Sequence, residues 1–208
     1  MNTDTRTRIA ATLLVVGALT FTVGDLVRRL VEPSGSPKAV DITHAVGQHH
    51  GAWLLAGFLG LVAGLCLAPA LLTLIPSAGA RGSRVTTTGA LMASVGAMAS
   101  IGHTIAFYSP YSLFADARVP GTEVTAIDKA SESSPLLIAL IVLFIAGMML
   151  GSIVLFVGLR RAGRVPIWSV VAVVVFVACG STGGVVPGVI GIIAAAAAFV
   201  PAAKNLLR

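Results

Sequence analysis

The chain has 208 residues, of which 56% are hydrophobic and only 11% charged, and its formal net charge is +6. Soluble domains carry about a quarter charged residues, so composition excludes a water-surrounded globule for most of the chain. The basic residues fall in short clusters between apolar runs, without aromatic interleaving, which excludes a nucleic-acid groove and fits orientation signals beside a lipid bilayer.

Crossing the hydrocarbon core takes about 20 apolar residues in a helix. Taken in chain order, six stretches qualify: 9–31, 51–75, 85–108, 135–159, 166–180 and 185–202. Arg6 and Arg8 precede the first, as in a signal peptide. Its apolar run continues to Val23 without a small-x-small cleavage site, so it reads as an uncleaved span. It carries Asp25, Arg28 and Arg29 in its last turns. The second stretch has no charge. The third is rich in small residues and opens on Thr86, Thr87 and Thr88, expected to cap it. The fourth begins at Ser133-Ser134-Pro135, a hydroxyl N-cap followed by proline where its missing N–H costs nothing. The last apolar block, 165–203, is too long for one span. It is expected to turn at Gly180-Ser181-Thr182-Gly183-Gly184, before Pro187-Gly188. The reading is an all-α, polytopic transmembrane bundle of six spans and one domain.

Lys and Arg set the orientation. Arg6, Arg8, Arg81, Arg84, Arg160, Arg161, Arg164, Lys204 and Arg208 fall on one side; Arg28, Arg29, Lys38, Arg118 and Lys129 fall on the other. Both ends are therefore expected in the cytoplasm. A cysteine at Arg81 should be reached from inside and one at Ser36 from outside. Only residues 32–50 and 109–134 are long enough to hold structure beyond a turn, and both are outer segments.

Helices in lipid associate through close backbone approach. Ala52, Ala56, Gly60, Gly64 and Ala68 recur every four residues. Gly89, Ala93 and Ala97 form one stripe on the third span, with Gly96, Ser100 and Thr104 beside it. Gly147 and Gly151 mark the fourth. These faces are expected to pack within the chain, with a homodimer or a protein partner as the alternative. Cys66 and Cys179 sit inside apolar runs and read as small core residues.

Ionisable groups at membrane depth are candidates for function. At about 1.5 Å per residue, Asp25 and Arg28 on the first span and His103 on the third reach a similar outer depth. His49 and His50 open the second span at that level. Three readings follow. Asp25 pairs with Arg28 or Arg29, three and four residues on, and the imidazoles reach interfacial water. Alternatively, Asp25, Arg28, Arg29, His49, His50 and His103 form a ligand or proton-coupling site. The third reading is metal or haem ligation by His49 and His103, although no HxxxH or HExxH spacing occurs. The Gly180–Gly184 run lacks the lysine of a phosphate loop, and Asp116, Glu123, Asp128 and Glu132 lack calcium-loop spacing.

The run Ala130 to Trp168, with its glycine-studded helix and the basic turn Arg161-Ala162-Gly163-Arg164-Val165-Pro166, resembles a group of uncharacterised bacterial multi-pass proteins. The Ala/Val/Gly/Arg-rich composition is of actinobacterial type. The resemblance implies a six-helix protein of the bacterial inner membrane and assigns no catalytic residue. The expected function is a non-enzymatic membrane protein with an outward-facing polar pocket: an accessory, sensor or small-solute binding subunit without a cofactor. The rivals are a haem- or metal-binding redox protein and a small transporter.

Overall fold

Each of the six apolar stretches folds as helix in the computed structural model, which describes residues 3–34, 37–76 and 81–207. Ser36 and Arg208 lie outside the described residues. The helices are α1 (Thr3–Val31), α2 (Ala39–Gln48), α3 (His50–Leu72), α4 (Ser83–Asp116), α5 (Gly121–Glu132), α6 (Pro135–Phe144), α7 (Gly151–Arg161), α8 (Ile167–Gly180) and α9 (Val185–Leu206). A π-helical segment, Ile145–Leu150, joins α6 to α7 without a break. No strand occurs among the described residues.

Five helical stretches are long and apolar enough to cross a membrane: Thr5–Val31, His50–Leu72, Ser83–Asp116, Pro135–Arg161 and Val185–Leu206. Helix α8 is apolar but has only 14 residues. Large apolar side chains cover the outside of the bundle; Leu136 is 83% exposed and Val186 69%. In water such a surface would aggregate; in lipid it is solvated.

The expected boundaries hold within a few residues, with two differences. Helix α4 runs past Tyr108 to Asp116, through Pro110. The threonines do not cap it: Gly82 takes that position, and Thr86 is buried in the first turn with its hydroxyl unpaired. Ser134 and Pro135 do open α6 as expected, although the Ser134 hydroxyl makes no capping bond. The turn expected after Gly180 is present between α8 and α9.

The small-residue stripes are consumed inside the chain. Gly60 and Gly64 of α3 lie against Thr104, Ile101 and the Ala97 carbonyl of α4. Gly89 and Gly96 of α4 lie on the backbone of the α6–α7 stretch, at Leu155 and at Gly147-Met148. Gly24 of α1 meets the Ala56 carbonyl of α3.

These contacts build two cores. The larger joins α1, α3, α4, α7, α8 and α9 around Leu14, Leu67, Leu155, Phe156, Val173 and Phe199. The smaller sits at the other end, where α2 and α5 fold over the end of α4. It holds Ile42, Val46, Trp53, Tyr111 and Val124. The two long segments between apolar stretches therefore hold amphipathic helices that form a cap. Trp53 is 1% exposed, and its indole Nε1 donates to the Tyr108 carbonyl at 3.0 Å. Ala11, Leu74, Leu159, Val165 and Ala203 all belong to the larger core. The start of α1, the end of α3, the α7–α8 turn and the end of α9 thus share the end opposite the cap.

Candidate functional site

Between the two cores lies a cavity of about 240 Å³. Five stretches of the chain converge on it. Helix α1 contributes Phe21, Gly24, Asp25 and Arg28; α3 contributes Ala56 and Gly60. Helix α4 lines it with Ser100, His103, Thr104, Phe107 and Tyr108. Phe144, Met148 and Met149 come from α6 and the π segment, and Phe176, Val177 and Gly180 from α8. Glycine lets the helices around it approach closely: a Cβ on Gly60 would sit 2.9 Å from Thr104 Oγ1. The π segment matters for the same reason. Its wider turn presents Met148 and Met149 to the cavity while Gly147 stays against Gly96, and such turns recur at functional sites.

Charge enters on α1 alone. Arg28 donates from Nε and Nη2 to Asp25 Oδ1, at 3.2 and 3.0 Å. Arg29 Nε donates to Asp25 Oδ2 at 2.7 Å. The adjacent arginines then diverge. Arg28 lines the cavity and is 23% exposed; Arg29 is 1% exposed and turns away from it. Arg29 donates from Nη1 to the Thr182 and Gly184 carbonyls and from Nη2 to the Cys179 carbonyl. One guanidinium therefore closes the end of α8 and the turn into α9. Cys179 lies in the last turn of α8, where a cation also complements the helix dipole, while Thr182 and Gly184 belong to the irregular turn whose carbonyls lack helical partners.

His103 reaches the cavity from α4. Its ring stacks on Phe144, with centroids 4.9 Å apart and planes 14° apart, and on Phe107 at 6.0 Å and 20°. It makes no hydrogen bond to a described residue. The same imidazole also lines a second groove between α4, α5 and α6 that contains Asp128 and Glu132. His103 and Phe107 form the wall between cavity and groove.

The structure brings Asp25, Arg28 and His103 to one cavity and leaves His49 and His50 out of it. His49 is the break between α2 and α3, exposed, with its amide bonded back to Ala45 and Val46. His50 Nδ1 lies 3.1 Å from Asp116 Oδ1, tying the start of α3 to the end of α4. Neither space lined by His103 includes His49 or His50. Among the described residues no group of three or more His, Cys, Asp or Glu is placed to hold a metal ion.

Sequence reasoning missed the aromatic part of the site. Phe21 packs against Phe144 and Phe176 with centroids 6.3 and 6.1 Å apart. These rings come from three different helices, and no spacing in the chain links them. Comparison with protein-family models, with curated proteins and with solved structures found no match.

Proposed function

We propose that this chain is a non-enzymatic protein of the bacterial inner membrane that binds a small solute in its outward-facing cavity, as a sensor or a solute-binding subunit. The carrying observation is the convergence of Asp25, Arg28 and His103 on one partly open cavity with aromatic walls. Charged groups at membrane depth are costly, and they are retained where they meet a ligand, an ion or each other. A cavity of about 240 Å³ falls below the range of drug-sized sites, so the solute is small.

Two features favour binding over passage or electron transfer. Below the cavity the larger core is closed by Leu14, Leu67, Phe156 and Phe199, all fully buried. A haem held by two imidazoles needs a second histidine at the cavity, and His49 stands at the exposed break between α2 and α3. A protein partner would meet the chain away from the small-residue faces, which are covered internally.

Six spans with both ends cytoplasmic complete the reading. Helix α8 has 14 residues, or roughly 21 Å at the helical rise. Yet α8 and α9 are antiparallel: Ser169 Oγ lies 3.5 Å from the Ala197 carbonyl, and Gly191 lies beside Cys179. A helical hairpin returns the chain to the side it left, whatever depth its tip reaches. The cytoplasmic position of the C-terminus therefore does not depend on the shortest helix.

Labelling single cysteines in intact cells tests the topology. A cysteine at Arg81 should resist a membrane-impermeant maleimide, and one at Glu123 in α5 should react. Reversed labelling would overturn the orientation. For the binding reading, purified protein is screened against a library of small polar and amphipathic solutes by thermal shift. The control is Gly180→Leu, because a Cβ there meets only Met149 Cε, at 3.9 Å. It should fill the cavity without disturbing the fold. Stabilising solutes are expected for the parent, with the effect abolished in Gly180→Leu. Hits that persist in that variant, or no hits at all, would rule out the cavity.

A further inference from the structure

Charge selects which class of small solute this cavity takes; the step rests on the binding reading above. Asp25 accepts on both carboxylate oxygens, from Arg28 and from Arg29. Arg29 is committed to that carboxylate and to three carbonyls of the α8–α9 turn. Arg28 uses Nε and Nη2 on Asp25, while its Nη1 makes no hydrogen bond to a described residue. Within this hydrogen-bonded group two guanidiniums face one carboxylate, a surplus of one positive charge; Glu32, the next acid along, is not within ion-pair distance of either, and the open donor belongs to the arginine that lines the cavity.

The aromatic walls alone would suit a cation as well as an anion, since ring faces attract positive charge. The arginines decide between them. A cation would approach an existing positive charge and would have to displace a guanidinium from Asp25. An anion would meet a free N–H in a place of low dielectric, where a charge-assisted bond is strong. A single surplus charge matches a single negative one. Ser100, Thr104 and Tyr108 add hydroxyl-bearing side chains from α4, and most of the remaining surface is apolar, with Phe21, Phe144 and Phe176 lining the same space and His103 stacked on Phe144.

We infer that the cavity binds a small monocarboxylate with a flat apolar body, its carboxylate on Arg28 and its body among the phenylalanine rings. The test is calorimetric titration of the full chain in detergent with three probes of one shape: benzoate, benzyl alcohol and benzylammonium. Benzoate should bind, benzyl alcohol about tenfold more weakly for want of the charge-assisted bond, and benzylammonium not measurably. Arg28→Gln should remove the preference for benzoate while leaving benzyl alcohol unchanged, and Arg28→Lys should keep part of it. Equal binding of all three probes, or preference for benzylammonium, would overturn the anion inference and leave the small-solute reading standing. Failure of benzoate to bind also overturns the inference, and the library screen with Gly180→Leu then judges the broader reading separately. If Arg28→Gln fails to fold, the order of the three probes on the parent protein still decides.

Discussion

Arg29→Ala is expected to lower the unfolding midpoint of the detergent-solubilised protein by roughly 6–20 °C, taking a loss of about 3–5 kcal/mol for one partner of a buried ion pair. The side chain is 1% exposed, so water does not replace it. Its removal takes the guanidinium donors from the carbonyls of Thr182 and Gly184, leaves the Cys179 carbonyl to Thr182 alone, and leaves Asp25 with Arg28 alone. Those carbonyls matter because α8 is short. Its 14 residues reach roughly 21 Å against a hydrocarbon core of about 30 Å, and the turn that follows is exposed on the bundle from Gly180 to Gly183, so at membrane depth its irregular backbone survives only if its polar groups are satisfied. Arg29→Lys should recover only part of the loss, since one ammonium cannot span a carboxylate and three carbonyls in the fixed fork that a guanidinium presents. Asp25→Asn should cost less than Arg29→Ala, because the turn keeps its donors. An Arg29→Ala midpoint indistinguishable from the parent would show that the turn does not depend on this side chain.

The same arginine shows where sequence reasoning stops. Arg28 and Arg29 stand three and four residues after Asp25, and either spacing permits an ion pair on a helix. Which one faces the cavity and which one faces the turn is decided by carbonyls some 150 positions further along the chain, and no local pattern encodes that. The apolar runs were legible because lipid demands length and hydropathy of each helix independently of its neighbours. The level that His103 shares with Asp25 and Arg28 was legible for the same reason, since helical rise converts position into height. His49 and His50 were placed at that depth on the assumption that the second span began near Gly51 and faced inward there. The chain instead breaks at His49 between α2 and α3, leaving that ring exposed and pairing His50 with Asp116. Helix α2 has its buried residues at Ala39, Ile42 and Val46, a helical period visible in the sequence. What it covers, however, is an extension of α4 that Pro110 made hard to foresee. The π segment at Ile145–Leu150 left no signal of its own; Gly147 and Gly151 marked the crossing without indicating the wider turn.

Gly96→Ala should be the most damaging single-methyl addition along the seam between α4 and the α6–α7 stretch. A Cβ at Gly96 would fall on the Met148 amide nitrogen and the Gly147 carbonyl carbon. Neither belongs to a side chain that can rotate away. The reverse face is equally closed, since a Cβ on Gly147 would lie 2.5 Å from Gly96 Cα. Further along the seam, a Cβ on Gly151 would lie 2.5 Å from the Ala93 nitrogen and one on Gly158 2.5 Å from the Thr86 nitrogen. The two helices therefore touch backbone to backbone from Thr86 and Gly158 to Gly96 and Gly147, and a methyl at Gly96 cannot be absorbed by a side-chain shift. Overpacking in well-packed cores costs about 1–3 kcal/mol when side chains can adjust, and here the backbone must move. A loss above that range is expected, read as a lower unfolding midpoint and a smaller monodisperse fraction after extraction. Gly51→Ala is the matched control. A Cβ there meets nothing within 4 Å, and exchanging glycine for alanine within a helix favours the folded state by about 0.5–1 kcal/mol. The same chemical change should thus carry opposite signs at two helical glycines, because only one of them faces another backbone. Equal effects at the two positions, or a parental midpoint for Gly96→Ala, would mean that the two helices do not meet at Gly96 as closely as the packing requires. The cavity depends on that meeting, since Gly147 lying on Gly96 is what holds Met148 and Met149 in the wall facing Asp25, Arg28 and His103.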